Sequence, residues 1–138
     1  MRIVVLGSPG VRHPLSADLL LKMGAKSCST QFATTADSTD REMIRPWGEI
    51  EALNEALLRA IDCSWRDLAN FCPRRLIETA TGDIRREIEA LISSLDKDTP
   101  WVLHDPRLCF TLPVWRPFLD PVFCILAPGS PLELVTDP

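Results

Sequence analysis

An α/β fold built on a parallel sheet is predicted for this chain by three features. The runs Ile3–Leu6, Trp101–Leu103 and Pro121–Ala127 are apolar without polar alternation, the pattern of strands buried on both faces. Helical repeats of apolar residues lie between them. Each run ends in a Gly/Pro-rich or charged loop, and open α/β sheets place their ligands outside the carboxyl ends of the strands. The order of elements is that of the front portion of a three-layer α/β fold with parallel strands.

The first unit reads strand, loop, helix. Ile3-Val4-Val5-Leu6 runs into Gly7-Ser8-Pro9-Gly10, where two glycines permit positive φ or close backbone approach. Leu15, Leu19, Leu20 and Met23 then recur at helical spacing, with Pro14 near the first turn and Gly24 at the stop. From Ala25 to Arg45 the chain is polar and weakly patterned, which reads as an extended surface loop. Trp47, Ile50, Leu53, Leu57 and Ile61 share one helical face, with Glu49, Glu51 and Glu55 largely elsewhere. A further helix is expected over Asp83–Leu95, its stripe formed by Ile84, Ile88, Leu91, Ile92 and Leu95 and its start capped by Thr81 or Asp83. Trp101-Val102-Leu103 is a strand that stops at His104-Asp105-Pro106-Arg107. After a short helix, Pro121–Ala127 is a buried strand that stops at Pro128-Gly129-Ser130-Pro131. Loops 7–14, 104–107 and 128–131 should therefore converge on one site.

A chain of 138 residues supports one domain, residues 1–138, and 46% hydrophobic content excludes general disorder. A net charge of -4 gives no support to a nucleic-acid surface. The opening apolar run is too short for a signal-peptide core or a membrane span, so a soluble, cytoplasmic protein is expected. Five scattered cysteines without a CxxC pair read as free thiols in a reducing compartment, and no metal site is expected.

Several residues in the three loops carry chemistry. Gly7 and Gly10 either cradle an anion or simply make the strand-to-helix turn. Arg12 and His13, near the helix start, either contact an anion or are solvated surface. His104, delivered to a loop by its strand, is either an acid–base group or a neutral structural residue bonded to Asp105. Arg107 has a fork suited to phosphate or sulfate oxygens, with a salt bridge to Asp105 or Glu133 as the competing role. Trp47, Trp65, Trp101 and Trp115 read as packing residues.

The stretch HDPRLCFTLPVWRPFLDPVFCILAPGSPLEL resembles a segment of the P-loop sulfotransferases, especially the small bacterial group. That segment reads Lys-Asp-Pro-Arg, an apolar Leu-Pro-x-Trp stretch, then a strand leading into Arg-x-Pro-Leu-Glu-Val. WGEIEALNEALLRAIDCSW is similar to the family's helix after an Asn-Pro-x-Gly-x-Trp-Glu element, and MRIVVLGSPG with LLLKMGA is similar to its first strand, loop and helix. The resemblance implies a P-loop-type three-layer fold, incomplete at the C-terminus. It also implies transfer of a sulfuryl group from 3'-phosphoadenylyl sulfate to a hydroxyl or amine acceptor. On that implication His104 and His13 are the candidate catalytic groups, and Gly7, Gly10, Arg12, Arg107 and Ser130 the candidate donor-binding residues.

The chain departs from the family in its loops. Where the first loop of the family reads Gly-x-x-Arg-Ser-Gly-Thr-Ser, Gly10 takes the place of the arginine. Val11, Arg12, His13 and Pro14 replace the run that follows it. His104 stands for the lysine before Asp-Pro-Arg, and Gly129 for the arginine of the 3'-phosphate. The alternative is a non-catalytic or truncated sulfotransferase-fold protein acting as a binding or interaction domain. Expected partners are a small-molecule donor and acceptor, with self-association as a further option, and neither nucleic acid nor a membrane. A nucleotide hydrolase is disfavoured, because no GxxxxGK[ST] motif occurs.

Overall fold

The apolar runs form a sheet, and all its strands are parallel. The computed structural model describes residues 1–7, 19, 20, 22–27, 45–98 and 100–127. In these, strands β1 (Arg2–Gly7), β2 (Lys26–Ser27), β3 (Trp101–His104) and β4 (Phe123–Ala127) lie in the order β2-β3-β1-β4. Val4 pairs with Leu103 on one side and with Cys124 on the other, which makes β1 an interior strand. Four helices accompany the sheet: α1 (Arg45–Arg59), α2 (Pro73–Thr79), α3 (Gly82–Leu95) and α4 (Leu108–Leu119).

Alternation along the strands divides the core in two. Val4, Trp101 and Leu103 face a cluster built by the buried sides of α1–α4, including Ile50, Leu57, Leu76, Ile88 and Trp115. Ile3, Val5 and Val102 face the other way, against Ala25 and Leu20. The chain leaving β1 thus reaches the opposite face from the chain leaving β3. α4 runs through Pro113 and Pro117, each of which removes one backbone donor. Full burial of Leu108, Trp115 and Leu119 outweighs that loss.

Two expectations need correction. The chain does not remain an extended loop from Ala25. Gly24 adopts φ +93°, which only glycine takes readily, and ends the helical stretch before it. Lys26 N–H then donates to Pro100 O at 2.8 Å, and β2 joins the sheet beside β3. Nor is the last strand buried: Phe123, Cys124 and Leu126 are exposed, because β4 is an edge strand. Thr81 does take the N-cap position of α3, but without a side-chain cap hydrogen bond.

At the amino end of the sheet Arg2 forms a bidentate pair with Asp96, Nε at 3.0 Å and Nη2 at 2.6 Å. Its Nη1 donates to the carbonyls of Phe118 and Asp120, and Trp101 Nε1 donates to Asp96 Oδ1. The hydrogen bond from Arg2 is the largest influence on the Asp96 carboxyl and holds it below its ordinary value. Its contribution to stability is therefore complete above the unfolded carboxylate value, about 3.9, and is lost as pH falls through the lower folded value. Urea midpoints at pH 7 and pH 3 should show Arg2→Met weaker than the parent protein at neutral pH and closer to it in acid. A gap that widens in acid would contradict this coupling.

Candidate functional site

The carboxyl ends of β1 and β3 lie side by side, and the segments leaving them cover opposite faces of the sheet. Such a divergence is the switch point at which open α/β sheets form a crevice. β1 ends at Gly7 and β3 at His104. A Cβ placed on Gly7 would stand 3.6 Å from His104 Nε2 and 3.4 Å from Ala127 O, so the ends of β1, β3 and β4 meet there. Cys109, on the first turn of α4, donates its S–H to Gly7 O at 3.3 Å. Burial raises the Cys109 thiol above its ordinary value, which leaves it protonated and weakly nucleophilic at neutral pH.

Behind this edge lies a connected polar network. Asp105, 3% exposed, accepts from the Arg107 backbone N–H at 2.9 Å through Oδ1, an Asx-turn that shapes the loop into α4. The same oxygen accepts from Arg107 Nη1 at 3.2 Å, and Oδ2 accepts from Asn54 Nδ2 at 3.0 Å. Asn54, fully buried on α1, uses Oδ1 to accept from Trp115 Nε1 and Thr111 Oγ1, both at 2.8 Å. An indole nitrogen can only donate, so the amide orientation is decided: oxygen toward Trp115, nitrogen toward Asp105. Asn54 thereby ties α1 to the β3–α4 loop and to α4.

No family model, curated protein or solved structure matches this chain.

Arg107 is held on all sides by carboxylates. Its Nη2 lies 3.0 Å from Glu55 Oε1 and its Nη1 3.2 Å from Asp105 Oδ1, with Glu51 Oε1 at 4.0 Å from Nη1. Burial lowers the guanidinium's pKa, but Asp105 and Glu55 more than reverse this and hold it above its ordinary value. One positive charge faces three negative ones. The backbone at the start of α4 is equally committed: Leu108 N–H donates to Asp105 O, Cys109 N–H to Pro106 O, and the N–H groups of Phe110 and Thr111 to Arg107 O. This helix start has no spare first-turn donor for an anion.

Of the residues singled out in sequence, Gly7 and His104 are brought together, and Arg107 lies within the network. His13, Gly10, Arg12 and Ser130 lie outside the described residues, as does Glu133. Among the described residues, no group of three or more His, Cys, Asp or Glu side chains is placed to hold a metal ion. No helix among them is long and apolar enough to cross a membrane. Sequence reasoning missed Asn54 and Glu55. Asn54 had a signal: Ile50, Asn54, Leu57 and Ile61 follow one helical stripe, so an amide at that position must be buried and needs partners.

Proposed function

We propose that this chain is a sulfotransferase-like domain that serves as a non-catalytic binding or interaction module, its Arg107 committed to holding the fold. The reading of the fold as P-loop-type rests on the parallel sheet with β1 inside it and on the loop that follows Gly7. The observation that carries the functional reading is the pairing of Arg107 with Asp105 and Glu55.

A 3'-phosphoadenylyl sulfate donor is polyanionic. The residues described around Arg107 offer it net negative charge and an α4 start whose N–H groups are already bonded. They do not fit the donor, and no transfer step is assigned to them. A second reading, sulfuryl transfer to a hydroxyl or amine, is favoured by the placement of His104 against Gly7 at the switch point. There the imidazole would take up the acceptor's proton.

Calorimetric titration with adenosine 3',5'-bisphosphate separates the two. We expect no saturable binding up to about 1 mM nucleotide, an affinity weaker than about -4 kcal/mol. Saturable binding below about 0.1 mM would overturn the non-catalytic reading in favour of the second.

A further inference from the structure

β4 is paired with β1 from Ile3–Phe123 through Gly7–Ala127, and among the described residues its other edge has no strand partner. A row of backbone N–H and C=O groups along such an edge is complementary to another extended strand. The devices that usually blunt an edge are missing: residues 122–127 contain no charge and no proline. Phe123 is 63% exposed and Leu126 76% exposed, and they lie on opposite faces of the strand.

We infer that β4 is the seat of a homodimer, in which two copies of Phe123–Ala127 pair antiparallel about a two-fold axis and join the sheets of both protomers. The backbone edge specifies a strand as the occupant, and the side chains specify a second copy of this one. Antiparallel pairing centred on Ile125 sets Phe123 opposite Ala127 and Cys124 opposite Leu126. Each large exposed side chain then meets a small one, and the two-fold axis repeats the match. The contact is isologous, so it closes at two copies and removes the exposed edge from both. It is independent of the donor question, since β4 lies across β1 from the Arg107 loop.

Sedimentation velocity over a concentration series tests the dimer. The parent chain should sediment as a species of twice the chain mass. Leu126→Lys should raise the dimer dissociation constant at least about tenfold. Ile77→Lys, at an exposed apolar position on α2, should leave it unchanged. The register has its own test. In a Cys109→Ser, Cys124→Ser background, Ile125→Cys places two thiols opposite each other across the axis, within disulfide reach. Diamide, by taking up the two thiol hydrogens, should link that variant into a covalent dimer and leave the background unlinked. A monomer at every concentration, or a dimer indifferent to Leu126→Lys, overturns the interface. A dimer that Ile125→Cys fails to cross-link overturns the proposed pairing.

Discussion

Asn54→Leu should destabilise the fold by about 4 kcal/mol, although leucine nearly matches the amide in volume. The substitution strands two buried groups. Trp115 Nε1 loses its acceptor, and Asp105 Oδ2 loses its donor, while Thr111 keeps the Arg107 carbonyl at 3.1 Å. Each stranded group costs about 1–3 kcal/mol, the carboxylate more than the indole. With a urea slope of about 2 kcal/mol per molar, the midpoint should fall by about 2 M. Trp115→Phe removes one stranded donor along with its acceptor, so the double variant should lose less than the sum of the singles. A loss below about 1 kcal/mol for Asn54→Leu would show that the amide does not hold α1 to the loop.

Arg107→Met should cost about 3 kcal/mol, because it leaves the Asp105 carboxylate buried without its cation. The guanidinium bridges two carboxylates that come from different parts of the fold, Asp105 beside it and Glu55 on α1. Arg107→Lys should recover only part of the stability, since an ammonium lacks the planar fork that spans both. Adding Asp105→Asn to Arg107→Met should restore part of the loss by removing the stranded charge. This result also bears on function. A cation kept for a ligand could be replaced with little effect on the unfolding midpoint. A cation kept for the fold could not. Unchanged stability of Arg107→Met would therefore overturn the structural role assigned to it.

The secondary structure was legible because each signal is local. The β-branched run at Ile3–Val5 and the stripe from Ile84 to Leu95 encode their burial in their own spacing. The edge position of β4 was not legible. Apolar composition marks a strand, but burial on both faces depends on what lies over it, and here Cys124 and Leu126 are left exposed. Lys26–Ser27 was missed because two residues carry no periodicity of their own. They are held in place by β3, far along the chain.

The candidate site divides in the same way. By itself the sequence determined that Gly7 and His104 end parallel strands, because each apolar run stops at a loop signal within a few residues. It also placed Arg107 beside Asp105, one turn before a helix. Only the tertiary structure decided what Arg107 does. Its choice among Asp105, Glu133 and an external anion depends on α1, whose Glu55 lies 52 positions earlier and 3.0 Å away. A guanidinium charge takes the partners that folding brings nearest, and no local spacing encodes a carboxylate delivered by another element.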